Sequence, residues 1–466
     1  MNPSSQKSSP KLFSSINPAT GEIIAEYRPH SPAEVEQSLF AARSAFEEWK
    51  CRSIPERAAD IHRVGEVLRR SHDALAELAT REMGKPIGQA RAEVEKCAGL
   101  CDYYAEHGPA GLAPELVTGN AASRSYVRFD PLGAVLAVMP WNFPFWQVFR
   151  FAIPSLLAGN VAVLKHATNV LGCAAAIERT FIDAGFPPGI FTSLNLDRNE
   201  LPELIGDSFI RAVTLTGSEA AGMAVAETAG RHLKKCVLEL GGSDPFIVLP
   251  DADLPRTIHN AVEARVMNNG QSCIAAKRFI VHRKVYEEFV AGMAAEMQRL
   301  KMGDPLQDKT QLGPLAREDL RDILHEQVQA TLEQGARLIT GGKSPESPGW
   351  FYEPTLLADV GPEMTAFQEE TFGPVAALTP IEHADEAVEL ANQSTFGLGA
   401  SLWTRDVPLA EKLAERIESG SVFINDFTRS DASLPFGGIK KSGFGRELSL
   451  FGLREFVNIK TVWVRE

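Results

Sequence analysis

Short apolar runs alternate with longer amphipathic stretches through the middle of the chain. Residues 135–139, 161–165, 190–195, 209–215 and 235–239 read as strands. A strand covered on both faces shows a continuous apolar run rather than strict alternation. Between them, residues 151–159 and 219–228 carry helical spacing, Thr168 or Asn169 is expected to cap the next helix, and residues 181–188 read as a connection. Regular exchange of strand and helix predicts a parallel α/β sheet. The pattern restarts near Asp244, with strands at 246–248, 278–281, 372–379, 400–403 and 421–424 and helices at 253–267, 286–299 and 317–335. A second α/β domain follows from it.

The first hundred residues read differently. Asn17-Pro18-Ala19-Thr20-Gly21-Glu22 is a tight turn between two short strands. Ser31 with Glu34 forms a capping box, and the helix behind it is expected to bury Phe40, Ala41, Ala45, Phe46 and Trp49 on one side. Pro55 opens a helix to about His72, and two more helices reach about Tyr104. Residues 110–121 are a polar break. Residues 123–129 then alternate as an exposed strand, and the tail at 455–465 does the same. An exposed terminal strand invites pairing with another chain.

With 466 residues, 44% of them hydrophobic, the chain exceeds what one core holds, so two or three domains are expected. A formal net charge of −13 and no tract dense in Lys and Arg exclude a bulk nucleic-acid binder. The six cysteines include no CxxC pair, and no His/Cys group has zinc spacing. A reduced, cytoplasmic protein without a metal is expected. The polar, frayed start lacks the apolar core of a signal peptide. No apolar run is long enough for a membrane span.

Four loops carry candidate chemistry. Gly270-Gln271-Ser272-Cys273 leads from a helix toward a strand. Glycine there leaves the thiol approachable, and nearby backbone N–H groups can lower its pKa and hold an oxyanion. A lone free cysteine is more often a small buried hydrophobe. Glu239-Leu240-Gly241-Gly242 ends a strand, where α/β active sites form. A carboxylate near a thiol can activate water against an acyl-enzyme, although a surface glutamate at a turn has the same pattern. Pro140-Trp141-Asn142-Phe143-Pro144 is a rigid aromatic turn whose Asn142 amide can donate to an oxyanion, or serve only the turn. Thr216-Gly217-Ser218 opens a helix whose N–H groups suit a pyrophosphate. The spacing to Gly222 is not the dinucleotide fingerprint, so a routine turn reads equally well.

Taken together, five motifs resemble the signatures of the aldehyde dehydrogenase superfamily, in the family's order: residues 140–144, 239–242, 270–273, 369–374 (Glu-Glu-Thr-Phe-Gly-Pro) and 435–443 (Pro-Phe-Gly-Gly-Ile-Lys-Lys-Ser-Gly). The resemblance runs the length of the chain. It implies an α/β fold with two Rossmann-like domains and a small β oligomerisation element. The cofactor-binding domain is expected at 1–112 and 132–240, the catalytic domain at 241–456, and the oligomerisation element at 113–131 and 457–466. The resemblance also implies roles. Cys273 matches the nucleophile, Glu239 the general base, and Asn142 the oxyanion donor beside the Cys273 N–H. Lys165 matches a ligand of the adenosine ribose. Gly217, Ser218 and Trp141 match the pyrophosphate site, and Glu370 matches the holder of the nicotinamide ribose, with Phe372 behind it. The cofactor is then NAD or NADP, and the assembly a homodimer or tetramer.

One departure bears on the cofactor. The family commonly has proline after the lysine and often glutamate three residues after it, where this chain has His166 and Thr168. Glutamate there repels a 2′-phosphate and threonine does not, so Thr168 leaves the choice between NAD and NADP open. Within the superfamily, residues 163–167 and 440–447 resemble bacterial succinate-semialdehyde dehydrogenases. A carboxylate-bearing aldehyde wants an arginine at its far end, and Arg150 matches one that does this in such enzymes, with Phe143 and Phe436 as walls. The second arginine of the animal enzymes is Met267 here, with Arg265 and Arg278 as possible substitutes, and their second redox cysteine is Ala275. A broader aldehyde specificity, or a structural protein on the same fold, are the competing readings.

Overall fold

The computed structural model describes residues 12–117 and 123–465. The polar start up to residue 11 and residues 118–122 of the polar break lie outside the described residues. β1 (Phe13–Ile16) and β2 (Ile23–Tyr27) pair antiparallel around the Asn17 turn. α1 (Pro32–Trp49) starts on the Ser31–Glu34 capping box. Its buried stripe is Leu39, Ala42, Ala45 and Trp49, with Phe46 partly buried against the core, so Ala45, Phe46 and Trp49 lie as expected and Phe40 and Ala41 do not. Phe40 is 73% exposed, while the Trp49 indole N–H is buried against Leu156 O (3.0 Å). α2 (Ile54–Arg70), α3 (His72–Met83) and α4 (Ile87–Gly111) complete the helical segment. β3 (Glu115–Val117) and β4 (Ser123–Pro131) follow.

The first large sheet is built from β5 (Ala134–Met139), α5 (Trp146–Leu157), β6 (Val161–His166), α6 (Leu171–Asp183), β7 (Phe191–Ser193), α7 (Leu201–Gly206), β8 (Ile210–Thr216), α8 (Glu219–Arg231) and β9 (Lys235–Glu239). Its parallel strands lie in the order β9-β8-β5-β6-β7. The chain moves outward from β5 to β7, then returns to the other side of β5 for β8. Ligands bind outside the carboxyl ends of strands at such a switch point. The 140–144 loop follows β5 and the Gly217-Ser218 turn follows β8, so both face that crevice.

Two helix starts differ from expectation for one physical reason. α5 begins at Trp146, not at 151, because the buried Glu93 carboxylate accepts the backbone N–H groups of Phe145 and Trp146, each at 2.9 Å. Neither Thr168 nor Asn169 caps α6. Residues Thr168–Val170 form a 3-10 turn, and the Glu82 carboxylate takes the N–H groups of Gly172 and Cys173 at 2.9 and 2.8 Å. The first N–H groups of a helix need acceptors, and here remote buried glutamates supply them. Phe181 belongs to α6 rather than to a connection.

The second large sheet contains β10 (Asp244–Val248), β11 (Ala276–His282), β12 (Arg337–Thr340), β13 (Thr355–Ala358), β14 (Val375–Ile381), β16 (Gly399–Trp403) and β17 (Ser421–Ile424), in the order β12-β13-β14-β11-β10-β16-β17. Only β12 runs antiparallel. α9 (Leu254–Val266), α10 (Arg283–Arg299) and α11 (Glu318–Glu333) pack around it. Residues 372–374 are a loop rather than strand, since Gly373-Pro374 breaks the ladder before β14.

Between β14 and β16 lies the two-residue β15 (Phe396–Gly397), which pairs with β18 (Ile439–Lys440). β19 (Gly443–Phe444) then joins the first sheet beside β9, with Gly443 opposite Glu239. The 435–443 motif therefore runs from the small β15–β18 pair to the edge of the first sheet. Phe436, Leu448, Leu453 and Phe456, from the 241–456 stretch, pack into the core of the first sheet. β20 (Val457–Arg465) pairs with β4 along its whole length, leaving Ile459 and Trp463 exposed. Among the described residues, no helix is long and apolar enough to cross a membrane, and no group of three or more His, Cys, Asp or Glu could hold a metal.

Candidate active site

Cys273 sits at the end of a tightly pinned loop that enters β11. Asn268, Asn269 and Gly270 are all left-handed, with φ of 56°, 58° and 74°. Such a run is costly for residues with side chains, and hydrogen bonds hold it. Asn269 Nδ2 donates to Gly84 O (2.9 Å) and Pro314 O (2.8 Å), and Asn269 Oδ1 accepts from Gly313 N (2.7 Å). Arg265 donates to Gly270 O (2.7 Å) and Val375 O (3.2 Å). Lys277 Nζ donates to Ser272 O (3.0 Å) and Cys273 O (2.8 Å). A Cβ on Gly270 would lie 2.3 Å from the Gly373 carbonyl, so the 270–273 and 369–374 motifs cross at two glycines.

The thiol is not lowered by its surroundings as expected from the sequence. Burial pushes the Cys273 thiol up to about 12, against the opposing charges of Arg150 and Lys277. Among the described residues the Cys273 N–H donates to no protein acceptor. Asn142 lies beside it, with Nδ2 donating to Gln271 O (3.1 Å) and Asn142 O accepting from Asn268 Nδ2 (2.7 Å). The loop that carries Asn142 is in turn held by Glu93, which pairs with the buried Lys85; the Lys85 ammonium lies 4.2 Å from the Phe143 ring centre.

Glu239 is buried at the carboxyl end of β9, and neither carboxylate oxygen has a hydrogen-bond partner in the protein. Burial raises its pKa well above the ordinary value, with Arg150 acting against this and Glu447 with it. Gly437 packs against Glu239, where a Cβ would lie 2.6 Å from Oε1. Glu370, by contrast, is engaged: Oε1 accepts from Gly242 N (3.1 Å) and pairs with Lys277 (3.2 Å). Trp141 and Phe372 meet edge to face at 5.8 Å.

On the far side of the first sheet, Lys165 is buried near the end of β6 and makes no hydrogen bond or ion pair among the described residues. Burial lowers its pKa, partly offset by Asp197. Thr168 is half-buried at the start of the 3-10 turn just beyond. Ser218 caps α8, its Oγ accepting from Ala221 N (3.3 Å), and Gly217 precedes it. A cation without a partner, a helix N-terminus and the switch-point crevice are the donor set that a dinucleotide requires, so these residues fit one.

A cavity of about 320 Å³ reaches Cys273 from outside, with Phe143, Trp146, Arg150, Met267 and Phe436 in its lining. Arg150 is not the free cation expected. Its guanidinium is buried in an ion pair with Glu447, lies 3.4 Å from Thr216 Oγ1 and stacks over Phe436 at 4.6 Å.

The aldehyde dehydrogenase family model matches residues 5–462. The chain belongs to the aldehyde dehydrogenase family. It is 53% identical over 451 residues to a succinate semialdehyde dehydrogenase, NAD(P)+, of Escherichia coli, covering 96% of this chain and 97% of that one. It is 47% identical over 454 residues to succinate-semialdehyde dehydrogenase (NADP+) 1 of Mycobacterium tuberculosis, covering 97% and 99%. Among solved structures, succinic semialdehyde dehydrogenase from Streptococcus pyogenes in complex with NADP+ superposes with a TM-score of 0.95 at 36% identity, covering 97% and 100%.

In this aldehyde dehydrogenase the histidine at the usual proline position has a structural use. His166 Nδ1 accepts from Ala167 N (2.9 Å), so its Nε2–H is left to donate to Pro144 O (2.9 Å). It ties the end of β6 to the Asn142 loop, and burial lowers its pKa to about 4. Neither Arg265 nor Arg278 substitutes for the second substrate arginine. Arg278 donates to Ser243 O, Leu390 O and Ala391 O at 2.8–3.0 Å, and neither lines the cavity. Sequence reading missed Lys96, Gln147 and Ser430, all on the cavity lining. The readable signal was a polar stripe: Gln89, Glu93 and Lys96 share one face of α4 at helical spacing.

Proposed function

We propose that this aldehyde dehydrogenase oxidises succinate semialdehyde to succinate, with NAD or NADP as cofactor. The observation that carries the reading is the cavity at Cys273, walled by aromatic rings yet containing the charges of Arg150 and Lys96. It suits a short aldehyde with an anionic far end. The designations of the relatives support the same substrate and cofactor.

In this reading the Cys273 thiol gives its proton to water as Sγ attacks the carbonyl carbon. The S–C bond forms, and the carbonyl electron pair moves to oxygen, which takes hydrogen bonds from the Cys273 N–H and the second Asn142 Nδ2–H. A bound nicotinamide cofactor would supply the acceptor for the hydride that leaves this carbon. A thioester to Cys273 remains. Glu239 takes a proton from water, whose oxygen attacks the thioester and frees the carboxylic acid and the thiol. Lys165, Ser218, Gly217 and Trp141 would hold the adenosine and pyrophosphate, and Glu370 with Phe372 the nicotinamide ribose. Glu370 must first leave Gly242 and Lys277 to do so. The residues at 1–112 and 132–240 form the cofactor-binding domain, and most of 241–456 the catalytic one. β20, with Ile459 and Trp463 exposed, and its partner β4 serve homo-oligomer formation in the cytoplasm.

The test is cofactor reduction with succinate semialdehyde and with butanal, which has the same carbon chain without the carboxylate. Succinate semialdehyde is expected to have the higher kcat/KM by about 30-fold or more. Equal values would favour a broad aldehyde specificity, and no turnover of either would favour a structural protein. The cofactor side has its own test. Thr168→Glu places a carboxylate where a 2′-phosphate is expected, and like charges face to face cost several kcal/mol. Its kcat/KM with NADP+ is expected to fall by roughly 30-fold or more, while that with NAD+ stays within a few-fold. A parallel loss with both cofactors would remove Thr168 from the ribose site.

A further inference from the structure

The cavity contains three cations, and they are not equivalent. Arg150 is committed to Glu447, and Arg429 is paired with Asp426. Lys96 forms no ion pair among the described residues. It projects from α4 into the lining shared with Cys273, Phe143 and Phe436. Its Nζ donates to Ser430 Oγ (2.7 Å) and lies 4.2 Å from the centre of the Trp146 ring. An ammonium has three donors and no acceptor, so one hydrogen bond to a neutral hydroxyl and one aromatic face leave it able to take a carboxylate. The Lys96 residue is exposed while its ammonium is part-buried against Ser430, where burial, with the charge of Arg150, lowers its pKa to about 8, so an arriving anion can reach it without breaking an existing salt bridge. Arg150 offers the opposite case, because any substrate bond it makes competes with a buried glutamate.

We propose that Lys96 is the specificity-determining cation of this enzyme, receiving the far carboxylate of an ω-carboxy aldehyde while Ser430 and Trp146 hold its ammonium at the cavity. The proposal rests on the substrate reading above. Arg150 then supplies field and wall, and Lys96 makes the direct ion pair. Charge pairing at the far end of the substrate is formed in the ground state as well as in the transition state, so its loss appears in KM rather than in kcat.

The experiment compares the wild type with Lys96→Met, which keeps the length of the side chain and removes the charge, and with Lys96→Arg, which restores a charge. For Lys96→Met, KM for succinate semialdehyde is expected to rise by about 30-fold, the usual scale for removing one partner of a desolvated ion pair. Its kcat, and both constants for butanal, are expected to stay within about twofold of wild type. Lys96→Arg should recover most of the loss. Succinate should inhibit butanal oxidation by the wild type and by Lys96→Arg, and much less by Lys96→Met, a readout of carboxylate binding that requires no turnover of the charged substrate. A wild type that prefers succinate semialdehyde, with a Lys96→Met variant that keeps that preference, overturns this proposal alone. A wild type without the preference overturns the substrate reading itself. An equal loss on both substrates in Lys96→Met, with no rescue by arginine, makes Lys96 a structural residue and also overturns the proposal.

Discussion

Cys273→Ala is expected to lower aldehyde oxidation by about 10,000-fold or more, the scale on which removing a covalent nucleophile acts, and to leave cofactor binding within about twofold. The thiol makes no protein hydrogen bond, and the loop around it is held by Arg265, Lys277, Asn268 and Asn269 rather than by Cys273 itself. The alanine variant should therefore fold, and a thermal melt within a few degrees of wild type checks this. Fluorescence titration with cofactor separates a lost nucleophile from a lost binding site. Near-normal turnover in the variant would sink the assignment.

The elevated thiol pKa adds a sign to the same experiment. A thiol that burial pushes up to about 12 is predominantly protonated at neutral pH. Alkylation of the cofactor-free enzyme by iodoacetamide, lost in Cys273→Ala, should be slow at neutral pH and keep accelerating as pH rises past 9. A rate that levels off near pH 7 would mean that Arg150 and Lys277 outweigh burial at the thiol. Attack on substrate must then couple to proton removal, since little thiolate stands ready.

The parts of this molecule legible in the sequence are those where function or burial forces a local signal. The strands of the first sheet are covered on both faces and show as apolar runs. The five motifs are legible because close approaches fix glycines in them: Gly270 crosses the Gly373 backbone, and Gly437 packs on the Glu239 carboxylate. Remote interactions were not legible. The start of α5 depends on Glu93 and that of α6 on Glu82, and both partners lie far away along the chain. The pairing of Arg150 with Glu447 was hidden for the same reason, so the arginine that matched a free substrate ligand is an occupied one. β15, β18 and β19 are two residues long, too short for any period. Lys96 was overlooked because a lysine in a charged helix reads as solvent-facing, and only the cavity beyond α4 gives it another meaning.

Glu239→Gln is expected to release about one reduced cofactor per site in a rapid first turnover and then slow to a steady state about 100- to 10,000-fold below wild type, the range over which a general base acts. The argument is one of availability. Of the buried or half-buried glutamates around the thiol, Glu93 is held by Lys85 and the N–H groups of Phe145 and Trp146. Glu447 is paired with Arg150, and Glu370 with Gly242 N and Lys277. Among these, Glu239 alone has both oxygens buried with neither a hydrogen bond nor an ion pair to the protein, so a water between it and the thioester meets a free acceptor. The amide keeps the shape and removes the basic oxygen, and because no protein hydrogen bond depends on Glu239, folding should be retained. Burial holds the Glu239 pKa well above that of an ordinary carboxylate. A base must be ionised to act, so wild-type deacylation should fall as pH drops through that raised value, at a pH where an exposed glutamate would still be charged. In Glu239→Gln the residual rate should lose this acid limb, because the titrating group is gone. Stopped-flow traces across pH measure burst and steady state together. An unchanged steady state in the variant would pass the role to Glu370, which would first have to break its bond to Gly242 and its pairing with Lys277. A lost burst would place Glu239 before hydride transfer, as the acceptor of the Cys273 proton.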